Sequence, residues 1–416
     1  MLAFSHYSIA NDIGGVTTWL ENLLRELRAR NEEIALNLHH FGDEPQIDGI
    51  QRFAESLGIP VTAFSRGLTS EPDVRRTLAF LNESKASVYL PQCLPAMHYA
   101  AKLAQRRGIP WVFTLHSDDP LYWTLAEHTG PPAKYGVWVA VSECIAEEAR
   151  RRFPKADVRM IPYGVAPSPL KSAWNDHKFR VVYSGRLVEY QKRASRVIEV
   201  FIEACKASPR IEALVIGDGE ERRNLEEMVA DANLCERILF RGRVSPSEVG
   251  EELLTAQAIV LMSDYEGLPV ALLEAMARGV VPVVRAVRSG IPEIVRDSET
   301  GYLVDDDPGQ AAKKLVWLSQ QPGCWSKNSN SARALVSTGY SHDFCVRKWI
   351  DLIAELKARS SVRHPIRIPR NPKLPPLDPR VATLDSRLPG SMSRAYWLVR
   401  RVSGRILKSL TRVFSR

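Results

Sequence analysis

The sequence lacks paired cysteines, long apolar runs and an obvious export signal. Its six cysteines are scattered without a CxxC pair, which argues against a disulfide framework or a zinc site and predicts reduced thiols in a cytoplasmic protein. No run of eighteen apolar residues occurs, so we expect no membrane-spanning helix. The first residues, Met1 to Phe4, resemble a strand and lack the charged and apolar regions of a secretory signal.

Negative charge is scarce at one end of the chain. Residues 361–416 contain thirteen Arg and Lys but two Asp, a net charge of +11, whereas the whole chain carries +8. The rest of the chain is therefore slightly acidic, and the basicity belongs to the tail. Within the tail, residues 361–390 contain seven prolines, which predicts an extended or disordered linker.

A helical pattern returns in residues 391–416. Apolar residues recur there at three- and four-residue spacing and share one face, and basic residues lie on the other face. The apolar residues are Val399, Val402, Ile406, Leu410 and Val413. This basic amphipathic helix predicts binding to an anionic membrane surface and a peripheral position on the inner face of a membrane. Docking of the helix on this protein or on a partner is the alternative. Nucleic acid binding is not favoured, because no recognised module accompanies the charge.

The body of the chain alternates between short apolar runs and helical patterns. This alternation predicts two Rossmann-like, doubly wound α/β domains, at residues 1–165 and 171–340, that face a central cleft. Pro162, Pro167 and Pro169 interrupt the pattern and indicate the connection between the domains. A helix over residues 341–358 is expected to pack back on the body.

Two carboxylates, Glu266 and Glu274, lie eight residues apart after a strand-like run at 258–262. Good helix formers from 268 to 278 predict a helix with both carboxylates near its entrance. In an open α/β sheet, ligands bind at the carboxyl ends of the strands, and a helix N-terminus there suits a phosphate. The alternative is a surface Glu266 and a helical Glu274 that pairs with Arg278.

The chain resembles the family-4 glycosyltransferases, which are retaining enzymes of the GT-B fold, over residues 1–357 and most strongly over 179–305. The family pattern of Glu, seven residues and Glu is matched by Glu266 and Glu274. In the first half, Gly14 and Gly15 open a helix and His116 follows a strand. Further matching segments are Gly185–Leu187 with Lys192, Ile216–Gly219, Phe240–Gly242, Gly290–Val295, Thr300–Val304, Val141–Glu143 and Ile161–Val165.

The resemblance implies roles for individual residues. Arg186 and Lys192 would bind the diphosphate of a nucleotide-sugar donor, and Arg193 could exchange roles with Lys192. The implied catalytic set is Glu266, His116, Arg186 and Lys192. The implied donor-binding set is Gly15, Gly185, Gly217, Val244, Gly267, Leu268, Val270 and Glu274, with Glu274 accepting hydrogen bonds from the ribose hydroxyls. Pro269 departs from the commoner Phe-Gly form of the family and has no N–H to donate.

The resemblance implies a retaining enzyme that moves a hexose from a nucleotide sugar to a polysaccharide or glycolipid precursor. No cofactor or metal is expected, and the run from Asp305 to Asp307 resembles a solvated turn. A catalytically silent nucleotide-sugar-binding scaffold and a nucleotide-sugar epimerase of the same fold remain alternatives. A dehydrogenase is disfavoured, because Arg222 stands where the dinucleotide fingerprint requires its third glycine.

Overall fold

The computed structural model describes residues 1–8, 14–40, 49–67, 70–130, 135–362 and 365–368. Most of the predicted linker and the whole predicted basic helix at 391–416 lie outside these residues. The described part of the chain forms two α/β halves, each built on a parallel sheet.

The first half contains a seven-stranded parallel sheet with the strand order β3-β2-β1-β4-β5-β6-β7. The strands are β1 (Leu2–Ser8), β2 (Ile34–His40), β3 (Val61–Ser65), β4 (Val88–Pro91), β5 (Trp111–Leu115), β6 (Gly136–Ala140) and β7 (Val158–Met160). The helices of this half are α1 (Gly15–Ala29), α2 (Gly49–Ser56), α3 (Ser70–Glu83), α4 (Pro95–Ala104), α5 (Pro120–Thr129) and α6 (Glu143–Arg152), with a short 3-10 turn at Gln105–Arg107.

The second half contains a six-stranded parallel sheet with the order β10-β9-β8-β11-β12-β13. The strands are β8 (Phe179–Ser184), β9 (Ile211–Ile216), β10 (Ile238–Gly242), β11 (Ala258–Leu261), β12 (Val281–Arg285) and β13 (Tyr302–Val304). The helices are α7 (Ala194–Ala207), α8 (Arg222–Asp231), α9 (Pro246–Leu254), α10 (Val270–Ala277), α11 (Ile291–Ile294), α12 (Pro308–Leu318), α13 (Pro322–Gly339) and α14 (His342–Arg359).

Both sheets reverse their strand order at the first strand, between β1 and β4 and between β8 and β11. Such a switch point opens a crevice at the carboxyl ends of the two neighbouring strands. The apolar strands are buried on both faces, as helices cover each sheet, and Phe4, Phe113 and Phe179 have no exposed surface. The predicted fold of two doubly wound domains is therefore confirmed.

Helix α14 returns from the second half to the first. Trp349 on α14 packs against Trp19 on α1 with ring centroids 5.2 Å apart. Arg159 beside β7 donates to Glu355 at 2.5 Å, and Val165 forms an isolated bridge with Ser341. None of the helices in the described part is both long and apolar enough to cross a membrane.

The first residues of the predicted linker lie against the first half of the chain. The amide of Ser361 donates to Gly108 O, and the backbone of Ile366 exchanges two hydrogen bonds with the Asn82 side chain. Ile366 is buried. The described residues at the start of the predicted linker are therefore docked on the first half of the chain.

Candidate active site

A cavity of about 520 Å³ lies between the two halves, at the switch points of both sheets. It receives the chain after β8, which carries Gly185 and Arg186, and the chain after β11, which carries Glu266. Eleven of the twelve predicted site residues line it: Gly15, His116, Gly185, Arg186, Lys192, Val244, Glu266, Gly267, Leu268, Val270 and Glu274. The topology therefore brings together residues that are up to about 260 positions apart.

Two helix N-termini, those of α1 and α10, approach each other across this cavity. A Cβ atom at Gly15, the first residue of α1, would lie 3.3 Å from Val270 Cγ2, at the first turn of α10. Their cap residues, Gly14 and Pro269, supply no side-chain hydrogen bond to the first turns. The first N–H groups of a helix have no partner within the helix, so two positive helix ends lie at one cavity, an arrangement suited to an anion such as a diphosphate.

Helix α10 begins two residues later than the sequence pattern predicted. Pro269 occupies the N-cap with extended backbone, φ −70° and ψ 113°, and the helix ends at Ala277. Proline is compatible with a helix start but has no N–H to donate. Leu268 is buried beside the cavity, so this part of the wall is apolar.

Lys192 and Glu266 form an ion pair inside the cavity, with Lys192 Nζ 2.6 Å from Glu266 Oε1. The Glu266 side chain is 6% exposed and that of Lys192 17%. A carboxylate buried to this extent needs its cation, because an unpaired buried charge is costly. The pair fixes the orientation of Glu266 and leaves an ammonium group beside the proposed anion site.

Arg193 lies beside Lys192 in sequence but contacts a different set of side chains. It is the left-handed N-cap of α7, at φ +48°, and its guanidinium lies 2.6 Å from Asp306 and 3.2 Å from Asp264. Arg285 contacts the same two carboxylates. The predicted solvated turn at 305–307 is therefore engaged in a charge cluster through Asp306 and caps α12 through Asp307.

Arg186 follows β8 and is exposed at the cavity. Its guanidinium donates to Tyr190 Oη at 3.2 Å and to Gln191 Oε1 at 2.9 Å. Gln191 Nε2 in turn donates to Tyr265 O, next to Glu266. These two acceptors orient the Arg186 guanidinium at the cavity, and a guanidinium can bind two oxygens of a phosphate at once.

Glu274 lies one turn into α10 and is partly buried. Burial raises the pKa of Glu274 to about 6. Arg278 is not its ion-pair partner in the described chain, because Arg278 Nη1 donates to the backbone oxygen of Glu274 at 3.0 Å instead. The predicted alternative of an i,i+4 pair is thus not found, and the carboxylate faces the cavity.

Both ring nitrogens of His116 are engaged within the first half. Nδ1 lies 2.5 Å from Tyr163 Oη and Nε2 2.6 Å from Gln92 Oε1. Burial lowers the pKa of His116 well below its usual value, so the ring is neutral. A direct contact from a ring nitrogen to a sugar would require one of these hydrogen bonds to break. The His116 backbone contributes differently, because its carbonyl packs on Gly267 across the cleft.

Gly217 is the one predicted site residue that does not line the cavity. Its φ is +129°, and a Cβ atom there would lie 1.9 Å from Gly185 O. Gly217 therefore lets the turn after β9 pack behind the turn after β8. Val244 forms the cavity wall on this side, together with Pro246 and Val249.

Sequence reasoning missed an aromatic and apolar wall on the first half: Tyr7, Cys93, Leu94, Leu121, Tyr122 and Tyr163. Cys93 lies two residues after the end of β4, at the switch point, and has a left-handed φ of +60°. Its Sγ lies 3.3 Å from Tyr122 Oη. Its position after a predicted strand end was a signal that could have identified this wall. No group of three metal-ligating residues occurs within the described ranges, and metal independence stays a prediction.

Two family profiles match consecutive parts of the chain. Glycosyltransferase Family 4 matches residues 13–168, and Glycosyl transferases group 1 matches residues 168–340. The colanic acid biosynthesis glycosyltransferase WcaL of Escherichia coli K12 is 31% identical over 323 residues, 71% of each chain. The chain belongs to the group 1 glycosyltransferases. A phosphatidylinositol N-acetylglucosaminyltransferase component of Arabidopsis thaliana is 26% identical over 73% of this glycosyltransferase and 71% of its own length.

Other relatives of this glycosyltransferase are matched over about half of their length. An amylovoran biosynthesis glycosyltransferase of Erwinia amylovora is 29% identical over 217 residues, 49% of this chain and 52% of its own. Among solved structures, sucrose-phosphate synthase from Thermosynechococcus elongatus aligns with a TM-score of 0.72 at 18% identity, over 86% and 99% of the two chains. Anabaena HepE, solved with UDP and glucose, aligns with a TM-score of 0.68 at 17% identity, over 85% and 99%. These likenesses confirm the GT-B fold.

Proposed function

We propose that this glycosyltransferase moves a hexose, with retention of anomeric configuration, from a nucleotide sugar to a polysaccharide or glycolipid precursor. The observation that carries the proposal is the convergence of Arg186, Lys192 and two helix N-termini on one cavity. A leaving diphosphate develops negative charge, and fixed cations and helix termini stabilise that charge without reorganisation. The names of WcaL and of the Erwinia and Arabidopsis relatives support the acceptor class.

The remaining residues have complementary roles in this proposal. Glu274 accepts hydrogen bonds from both ribose hydroxyls, and Val244 lies against the base. Glu266, held by Lys192, orients the transferred sugar rather than attacking it. The diphosphate leaves toward Arg186, and its oxygen takes the acceptor's proton on the face from which the bond breaks. The aromatic wall of the first half is the place for the acceptor.

Turnover of a panel of UDP-, GDP- and ADP-sugars tests this proposal, with UDP-sugars first because HepE was solved with UDP. We expect nucleotide release from one donor, lowered about a hundredfold or more by Arg186→Ala and by Glu274→Ala. Arg223→Ala is the matched control, because Arg223 is exposed on α8 and pairs with Glu227. Equal loss in the control would contradict a specific role of Arg186 and Glu274, and donor binding without any release in the presence of glycan acceptors would favour a scaffold.

The anomeric configuration of the product tests retention separately. Proton NMR of the anomeric proton at the new glycosidic bond should show the configuration that the sugar has in the donor. An inverted product would contradict the retaining mechanism, and an epimerised nucleotide sugar formed without acceptor would favour the epimerase.

We also propose that the basic tail binds an anionic membrane surface. Deletion of residues 369–416 should lower binding to phosphatidylglycerol-containing vesicles and leave donor turnover unchanged, because the charge lies in the tail. The deletion begins after residue 368 because Ile366 is buried against the first half. Neutral phosphatidylcholine vesicles are the control. Unchanged binding to anionic vesicles would contradict the membrane role and favour docking on protein.

A further inference from the structure

Glu293, in the short helix α11 of the second half, reaches across to the N-terminus of α6 in the first half. Its Oε2 accepts from the Glu143 amide at 3.1 Å, and its Oε1 accepts from the Cys144 amide at 2.8 Å. One carboxylate thus satisfies two N–H groups that a helix cannot satisfy internally. Hydrogen bonds from backbone amides to a carboxylate are stronger than bonds between neutral groups.

The helix that receives Glu293 does not use its own cap. Ser142 is the N-cap of α6, with extended backbone, but its side chain makes no capping hydrogen bond. Ser142 Oγ is buried without a hydrogen-bond partner within the described residues. Serine is a preferred N-cap residue, so the local solution to capping is available and unused. The cap comes instead from the other half of the molecule, which makes it sensitive to the relative position of the halves.

The Glu293 segment is also tied to the loop that carries Glu266. The Gly290 amide donates to Gly267 O at 2.7 Å. A Cβ atom at Gly290 would lie 2.8 Å from that oxygen and 2.9 Å from Ser142 Cβ, so the three segments are in close contact. Gly267 forms a bridge with Ser117 of the first half. A continuous set of contacts therefore runs from α6 through α11 to the cleft.

The same loop makes a second cross-cleft hydrogen bond, from the Asp118 amide to Glu266 O at 3.3 Å. Arg288 adds ion pairs to Asp118 at 3.4 Å and to Glu148 at 3.3 Å. Arg288 is 56% exposed, so these long pairs contribute little. Within the described part of the chain, the bidentate bond of Glu293 is the shortest polar link between α6 and the second half.

We propose that Glu293 is a positioning residue that latches the second half to α6 and thereby holds the Glu266–Gly267 loop against the first half. The link that Glu293 makes between the two halves does not depend on the proposed function, whereas the effect of Glu293 on turnover rests on it. Without the carboxylate, α6 can be capped by Ser142 and stays folded, while the link across the cleft is lost. The two halves then separate more often, and the Asp118–Glu266 hydrogen bond breaks with them.

Amide hydrogen exchange measured at single-residue resolution tests the latch on the full chain. In Glu293→Ala, exchange at Asp118 should rise about tenfold or more, because the loss of one charge-assisted hydrogen bond is worth at least that factor. Glu293→Gln should give a smaller rise, because its amide oxygen still accepts one bond. Glu299→Gln is the matched control, an exposed carboxylate of the same half that pairs with Arg296 at 3.1 Å.

Two outcomes overturn the proposal. If exchange in Glu293→Ala rises at Glu143 and Cys144 but not at Asp118, Glu293 only caps α6. If Asp118 exchange rises while kcat/KM for the donor stays at the wild-type value, the residue does not position the cleft. We expect kcat/KM to fall about tenfold, in step with exchange, while protection in β1 is unchanged. Absence of turnover in the wild type would overturn the proposed function and leave the exchange result valid.

Discussion

Glu274 has a carboxylate whose environment opposes its ionisation. Burial on α10 raises its pKa to about 6, so the carboxyl is protonated below that pH and ionised above it. Only the ionised form accepts hydrogen bonds through both oxygens from two ribose hydroxyls. The proposed role in donor binding would give this buried carboxylate the hydrogen-bond donors that stabilise its ionised form.

The pH dependence of donor use should therefore follow Glu274. We predict that kcat/KM for the donor rises about tenfold between pH 5 and pH 7, with an inflection near 6 that is absent in Glu274→Gln. Glu227→Gln, a change at an exposed carboxylate of α8, should keep the inflection. If the inflection persists in Glu274→Gln, another group titrates and the assignment of the ribose contact fails.

Lys192 and Glu266 are predicted to have separable contributions to stability and activity. Lys192→Met leaves the buried Glu266 carboxylate without its cation and should lower the free energy of unfolding by about 3 kcal/mol. Adding Glu266→Gln should recover a large part of that stability, because the uncompensated charge is removed. Donor turnover should stay low in the double variant. Recovery of turnover with stability would show that the pair is structural only. Urea denaturation and nucleotide release measure the two quantities.

At the scale of elements, the loop before α10 must approach the first half closely. A Cβ atom at Gly267 would lie 2.0 Å from His116 O. We predict that Gly267→Ala forces the loops apart and lowers kcat/KM for the donor about a hundredfold, with a smaller loss of stability. Gly323→Ala in α13 is the control, because nothing lies within 4 Å of the added carbon. Equal activity of both variants would show that this close contact is not needed for the reaction.

Strands that are buried on both faces were easier to predict from the sequence than strands at the edge of a sheet. The strand Trp111–Leu115 is buried along its whole length and has apolar residues at four of its five positions, a pattern that predicts a buried strand. The edge strand Val61–Ser65 is half exposed and the strand Val158–Met160 has three residues, so neither has a clear apolar pattern. Helix α10 starts at Val270 because Pro269 caps it, a detail that helix propensity does not contain.

The candidate site was largely predictable where its residues follow strands, and less so where it depends on packing. Arg186 and Glu266 lie in the segments that follow β8 and β11, which places them at the switch point. The hydrogen bonds of His116 to Gln92 and Tyr163 depend on side chains from three elements and could not be read from spacing. The supporting position of Gly217 depends likewise on its +129° φ and on its contact with Gly185.

At the scale of the whole molecule, the first half buries several neutral histidines. Burial lowers the pKa of His6 to about 3 and that of His98 to about 4, and lowers those of His39 and His116 well below the usual value. Unfolding restores their ordinary pKa near 6.5, so the unfolded chain binds more protons below that pH. Stability is therefore full above about pH 6.5 and falls as the pH is lowered, by about 1.4 kcal/mol per pH unit for each such histidine.

His98→Phe should weaken this acid sensitivity. The His98 ring packs 4.8 Å from Phe113, and its Nε2 has no hydrogen-bond partner in the described chain, so an apolar ring can occupy the site with the loss of one hydrogen bond, from Nδ1 to Leu94 O. We predict that the variant takes up about one proton fewer on unfolding between pH 5 and 6.5. Its free energy of unfolding therefore falls less steeply as the pH is lowered. His177→Gln, at an exposed position, should leave it unchanged. Urea denaturation at several pH values measures this dependence in both variants. An unchanged slope of the free energy of unfolding against pH in His98→Phe would contradict the contribution of His98 to acid sensitivity.

The central claim is that the cleft between the two halves binds the diphosphate of a nucleotide sugar through Arg186 and the converging helix N-termini. Calorimetric titration of UDP, GDP and ADP, each beside its nucleoside, into the wild type, Arg186→Ala and Arg223→Ala tests it most directly. We predict that one diphosphate binds more tightly than its nucleoside, and that Arg186→Ala alone lowers this preference at least tenfold. An unchanged preference in Arg186→Ala, or no binding of any diphosphate, would contradict it.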